Sequence, residues 1–136
     1  MPTMSPCLAY RDAPAAIAWL EKAFGFKTVL LVPGDTHDVV AHSELALGDD
    51  IIMVYTAHEN DPMGMRSPRD LAGVNQALYL VADDVDARFE RAVAAGAEVV
   101  REPTDEPYGG RDWVVKDPEG HHWSFGTYRP GTHTGG

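Results

Sequence analysis

One helix signal, with the same punctuation around it, occurs twice in this chain. Asp12 with Pro14 opens an apolar stripe that stops at Gly25, Asp84 opens a second that stops at Gly96, and each runs on into a strand and then a hairpin. A repeat of about 70 residues filling the chain implies two copies of one small unit, neither of which easily buries a core alone. The repeat therefore restricts the fold to a duplicated one and says little about a substrate.

With 136 residues, 44% of them hydrophobic, the chain has the length of a single compact domain that needs no disulfides. The single Cys7 can form no intrachain bridge, so a reducing compartment suits it. Residues 1–6 lack the positive, then apolar, pattern of a leader, and no apolar run is long enough to cross a bilayer, so a cytoplasmic protein is expected. The formal charge is −10, from 21 acidic against 11 basic residues, and is spread without blocks. Such a field repels phosphate backbones and anionic lipid, which argues against nucleic-acid and membrane partners, favours solubility and would draw in a cation.

The coarse element pattern follows from periodicity. Residues 5–10 read as a strand. Ile17, Leu20 and Phe24 form a helical stripe; residues 27–32, 39–47 and 51–55 read as strands, the last two a hairpin across Gly48-Asp49-Asp50. Residues 57–73 show no period and contain Pro62, Met63, Met65, Arg66, Pro68 and Arg69, which reads equally as an adaptable lid and as a linker. In the second copy residues 77–82 form a strand, and Val85, Phe89, Ala92 and Val93 the buried face of a helix. Val99 and Val100 continue as a strand, and residues 103–107 connect onward. Residues 111–116 then pair with 121–128 across Asp117-Pro118-Glu119-Gly120, and a glycine-rich tail follows at 129–136.

Each copy thus reads strand, helix, strand, strand, strand. This order twice over, with the DPEG turn and the closing His122-Trp123-Ser124-Phe125-Gly126-Thr127-Tyr128, closely resembles the vicinal oxygen chelate superfamily, which contains glyoxalase I, bleomycin resistance proteins and ring-cleaving dioxygenases. The likeness runs from Tyr10-Arg11-Asp12 to Tyr128. It implies an α+β fold: a single domain, 1–136, of two tandem βαββ modules (about 3–56 and 74–128) whose strands form a curved mixed sheet around a shared cavity, commonly as a homodimer. The segment 57–73 is the linker or lid and 129–136 a loose tail.

In catalytic members of that superfamily a divalent metal is held by one ligand from the first strand and one from the last strand of each module. The resemblance puts Ser5, Met53, Ala77 and Ser124 at those positions. None is a customary imidazole or carboxylate, so no metal ligands and no cofactor are expected, with a divalent metal on an atypical ligand set as the alternative. The histidines do not supply one: adjacent His121 and His122 point to opposite faces of a strand, His37 and His42 likewise, and His133 lies in the tail. A mixed site of His122 with His42 or His58 is the remaining arrangement.

Period-two alternation names the cavity wall. If Ser124 points inward, His122 and Gly126 do too, while Trp123 and Phe125 pack beneath a helix. Pairing across the DPEG turn sets Trp113 opposite Ser124 and Val115 opposite His122, so Arg111 and Trp113 also face inward, joined by Cys7, Met53, Tyr55 and Tyr79. The expected ligand-binding set is therefore Cys7, Met53, Tyr55, Tyr79, Arg111, Trp113, His122 and Ser124. Trp113 and Tyr79 serve equally as core filler, Arg111 as a partner of Asp112 or Glu106, and Cys7 as a small buried hydrophobe. His122 is the one candidate general base, with no orienting partner visible, and no other catalytic residue is expected.

Two readings of function follow from the resemblance and the missing ligand set. The first is a bleomycin-resistance-like protein that sequesters a small aromatic or cationic molecule in a metal-free cavity. The second is a metal-dependent lyase, isomerase or dioxygenase of the glyoxalase and dioxygenase type. A cavity protein for an unrelated metabolite stands beside them.

Overall fold

The computed structural model describes residues 1–132; His133 and the rest of the expected tail to 136 lie outside the described residues. The chain divides into two compact units, Met1–Gly73 and Val74–Gly136. Each is a four-stranded mixed sheet with one helix on one face.

In the first unit the helix α1 (Ala13–Phe24) starts where its sequence requires. The Asp12 carboxylate accepts the Ala15 N–H at 3.1 Å, Pro14 occupies the first turn, and Gly25 ends the helix in the left-handed region at φ 85°. The strands β1 (Cys7–Tyr10), β2 (Lys27–Pro33), β3 (Val40–Leu47) and β4 (Asp50–Thr56) are ordered β1-β4-β3-β2, with β1 parallel to β4 and the others antiparallel. Along β4, Ile52 and Val54 are buried on the helix side, whereas Ile51, Met53 and Tyr55 are half-buried on the open face. The buried Ser43 hydroxyl donates to the Val54 carbonyl at 2.7 Å, so this interior polar group is satisfied. The period-free stretch 57–73 is fastened to this unit: Arg11 forks onto Asp70 in a short turn, Pro68–Asp70, and Tyr55 donates to Asp61 at 2.7 Å.

The second unit repeats the plan with β5 (Ala77–Val81), α2 (Val85–Ala94), β6 (Glu98–Asp105), β7 (Arg111–Lys116) and β8 (His122–Gly126), ordered β5-β8-β7-β6. Its helix differs from the sequence expectation. Asp84 makes no side-chain cap and instead pairs with Arg88 one turn on at 2.8 Å; Val85 and Ala92 are buried, but Val93 is 42% exposed and Phe89 only half-buried. Strand β6 also runs well past Val100. Irregular pairing between Val99 and Arg101, and again between Arg101 and Thr104, lets this edge strand accept Pro103, which has no N–H to give a neighbour.

The DPEG turn fixes how β7 meets β8. Asp117, 4% exposed, accepts the N–H groups of Glu119, Gly120 and His121 through Oδ1 at 3.0–3.1 Å, and the Trp123 indole N–H through Oδ2 at 3.0 Å. The Asp117 N–H meets the His121 carbonyl at 2.9 Å, and Gly120 adopts φ 103° as one extra residue in the loop. That residue shifts the expected register by one: Trp113 lies opposite Phe125, Val115 opposite Trp123, and Val114 opposite Ser124. A one-residue slip turns every side chain of a strand to the other face. Trp113, Val115, Trp123 and Phe125 accordingly all lie beneath α2 at no more than 1% exposure, each contributing on the order of 1.5–3 kcal/mol of apolar burial.

Candidate functional site

The sheet faces away from α1 and α2 are where ligand-facing side chains can lie, and they sort the expected residues. On the first unit, Cys7 and Met53 are cross-strand partners and Tyr55 follows Met53 on the same face. His42 and Glu44 of β3 join them, with Nε2 2.9 Å from the carboxylate. Burial, then the Asp61 carboxylate that accepts its hydrogen bond, raise the Tyr55 phenol above its ordinary pKa, while the same bond lowers Asp61. On the second unit, Tyr79 pairs with Ser124 and Ala77 with His122 across β5 and β8. His122 has the orienting partner that its sequence context did not reveal: Nδ1 lies 3.0 Å from the Gly120 carbonyl, a pairing that places the proton on Nδ1.

Two expected wall residues lie elsewhere. Trp113 is fully buried under α2, stacked on Phe125 with ring centres 4.9 Å apart, and its indole N–H donates to the Val85 carbonyl at 2.7 Å. Arg111 faces the same side, where it bonds Asp86 at 2.9 Å and Asp105 at 3.2 Å. The extra turn residue Gly120 accounts for Trp113, and the helix carboxylate Asp86 secures Arg111. Asp112 and Glu106, weighed as partners of Arg111, meet Arg101 instead.

The slip in register brings Asp112 onto the open face of the second unit, and with it a cluster that the sequence did not single out. Arg101 of β6 pairs with Glu106, and its guanidinium stands 3.7 Å from Asp112 Oδ1, beyond hydrogen-bond reach. The Glu106 and Asp112 side chains are 9% and 15% exposed, and Asp112 Oδ1 is buried without a hydrogen-bond partner. Burial, followed by the charge and close contact of Glu106, pushes the Asp112 carboxyl above the ordinary carboxylate range.

Tyrosine rings border this cluster. Tyr79 reaches across β8 and donates to the Tyr128 carbonyl at 2.6 Å, a path open only because position 126 is glycine: a Cβ there would lie 2.5 Å from the Tyr79 hydroxyl and 3.0 Å from the Asp112 Cβ. Tyr108, 63% exposed on the turn that Glu106 begins, packs edge-on against Tyr128 with centres 5.8 Å apart. Partial burial and then negative neighbours raise both phenols, Asp112 acting on Tyr79 and Glu106 on Tyr108. Both stay neutral hydrogen-bonding rings at physiological pH.

The four positions that the resemblance assigns to a metal hold two hydroxyls, a thioether and a methyl group, at Ser5, Ser124, Met53 and Ala77. That donor set does not fit a hard or borderline divalent ion. Among the described residues, no group of three or more His, Cys, Asp or Glu side chains is placed to hold one. Nor is any described helix long and apolar enough to cross a membrane.

Two βαβββ units, one strand more in each than the βαββ shorthand, with this strand order define an α+β fold of the vicinal oxygen chelate type. The chain belongs to the Glyoxalase/Bleomycin resistance protein/Dioxygenase superfamily, which it matches over residues 4–125. Mb0911c, an uncharacterized protein of Mycobacterium bovis, is 38% identical over 129 residues, spanning 92% of this chain and 82% of its own. Among solved structures, TioX from Micromonospora sp. ML1 is 33% identical, with a TM-score of 0.72 over 95% of this chain and 100% of that one. A lactoylglutathione lyase from Agrobacterium tumefaciens, 22% identical with a TM-score of 0.64 over 92% of each chain, shares the fold.

Proposed function

We propose that this protein is a metal-free small-molecule binder that sequesters a planar, aromatic cation on the open face of its second unit. The observation that carries the reading is the pair Glu106 and Asp112, two largely buried carboxyls facing one guanidinium, with Asp112 Oδ1 lacking a hydrogen-bond donor among the described residues. A cationic N–H or ring edge would supply a second positive charge for the two carboxyls, and the Tyr79 and Tyr108 rings offer π-faces to a flat cation at about 0.5–2 kcal/mol each. The chain's net charge of −10 steers a cation inward and an anion away.

The test is a titration with three flat molecules of like size, N-methylacridinium, neutral acridine and anthracene-2-sulfonate, followed by calorimetry at pH 7.5. The cation should bind at least tenfold more tightly than the neutral ring, and the sulfonate not at all; equal affinity for all three refutes the reading. The competing reading is a metal-dependent lyase, isomerase or dioxygenase, and stoichiometric uptake of zinc, nickel, manganese or iron would put it first.

A homodimer belongs to the same proposal. Strand β2 is an edge of its sheet, and Val29, Leu30, Leu31 and Val32 in succession are 41–54% exposed, an apolar edge that soluble proteins cover. Sedimentation at micromolar concentration should give twice the chain mass.

A further inference from the structure

We propose that Glu106 and Asp112 hold one proton between them in the free protein and release it when a cation arrives, so that capture exchanges a proton for the ligand's charge. This rests on the reading that the open face of the second unit takes a cation, and it adds how that face is regulated. Two carboxyls that face the same guanidinium and are largely shielded from water cannot both ionise cheaply, because their like charges repel and neither is hydrated in compensation. The Arg101 guanidinium faces both: it is bonded to Glu106 and lies 3.7 Å from Asp112, an ion pair without a hydrogen bond.

Among the described residues the surrounding elements place no second cation against the pair; His122, on the same face, sits beside Lys116 at the other end of the β7–β8 pairing from Asp112. From β5 comes Tyr79, from the turn between β6 and β7 Tyr108, and beyond β8 Tyr128; the first two phenols are shifted upward and stay neutral. Arg111 on the neighbouring position of β7 is engaged with Asp86 and Asp105 on the helix side, and Lys116 further along pairs with Glu98 at 3.3 Å.

Charge neutrality then dictates the exchange. The free cluster holds one guanidinium, one carboxylate and one protonated carboxyl, which sum to zero. With a monocation bound and the proton released to solvent, one guanidinium and one ligand charge face two carboxylates, and the sum is again zero. Retaining the proton would leave an uncompensated positive charge beside a buried face, which is the costly state. The upward displacement of the Asp112 carboxyl agrees with a shared proton.

The experiment has two arms. In the free protein, carbon-13 NMR titration of the Glu106 and Asp112 carboxyls should show two separated steps, with one proton retained well above the ordinary carboxylate range; in Glu106→Gln the Asp112 carbon should titrate in a single step. Two independent ordinary carboxylate titrations overturn the proposal, whatever the ligand does. In the bound arm, calorimetry with N-methylacridinium, which carries no titratable proton, is repeated in buffers of different ionisation enthalpy from pH 5 to 8. Net release approaching one proton is expected below the upper step. The dissociation constant should fall about tenfold per pH unit there and level off above. Asp112→Asn, a permanently uncharged amide, should release none and lose the pH dependence. Binding with no proton release at any pH overturns this inference while leaving the binding function standing. Absence of binding refutes the function and, with it, the exchange.

Discussion

Trp113→Phe separates a structural indole from a ligand-stacking one. The side chain is fully buried, stacked at 4.9 Å on Phe125 and at 5.6 Å edge-on to Phe89, and its N–H donates to the Val85 carbonyl at 2.7 Å where α2 begins. Phenylalanine keeps the stack but removes the donor, which costs about 1 kcal/mol, and the smaller ring leaves unfilled volume worth about 1–2 kcal/mol more. The expected loss is therefore about 2–3 kcal/mol, and Trp113→Ala should lose about 3–5 kcal/mol. Urea unfolding followed by far-UV circular dichroism reads this as a lower midpoint at unchanged slope. Affinity for N-methylacridinium should stay within twofold of the parent. A Trp113→Phe protein as stable as the parent within about 0.5 kcal/mol, yet deficient in ligand binding, would refute the placement of this residue under the helix.

Two further predictions concern turns and pH. Asp117→Ala removes an acceptor for three backbone N–H groups and the Trp123 indole, and should cost about 3–5 kcal/mol by denaturant titration, with Asp117→Asn in between. The Tyr55–Asp61 bond lowers the Asp61 carboxyl and raises the Tyr55 phenol. Its contribution is present above the ordinary Asp pKa and lost as pH falls through the lowered folded value; on the other side it is present below the ordinary Tyr pKa and lost as pH rises toward the raised one. The stability difference between parent and Tyr55→Phe should thus be a plateau between about pH 4 and 10 that shrinks at both ends, and a difference independent of pH would rule the bond out.

Much of the architecture could be read directly from residue order. Asp12 with Pro14, Gly25 and the stripe Ile17, Leu20, Phe24 determine α1 through local chemistry alone, because a cap, a first-turn proline and a left-handed stop act within a few residues. Strand β6 extends further than its sequence suggests because Pro103 argues against a strand, and only an irregular edge accommodates it. Asp84 looks like a second Asp12, yet Arg88, one turn on, draws its carboxylate away from the helix N–H groups. The buried face of α2 is narrower than its apolar residues suggest: Val93 is apolar, but a ten-residue helix has a narrow contact stripe and leaves it outside.

The candidate site depended on a single glycine. Read as a tight four-residue turn, Asp117-Pro118-Glu119-Gly120 sends Trp113 to the open face and hides Asp112; with Gly120 as an extra left-handed residue, the two exchange places. The alternation in β7 and β8 carried the corrective signal. Trp113, Val115, Trp123 and Phe125 are the large apolar members of the hairpin, and setting all four on one side leaves Asp112, Val114, Lys116, His122 and Ser124 on the other. That division puts the large apolar side chains under the helix and the polar ones opposite, whereas the tight-turn register turns the Trp113 indole out to the open face. The chemistry of the open face then follows from tertiary geometry that no local pattern shows: Arg101, Glu106 and Asp112 meet because β6 and β7 pair, and Tyr79 reaches them only because position 126 has no Cβ. Gly126→Ala should accordingly displace the Tyr79 ring and weaken cation binding with little change at Trp113, since its added methyl collides with Tyr79 and Asp112 on the open side.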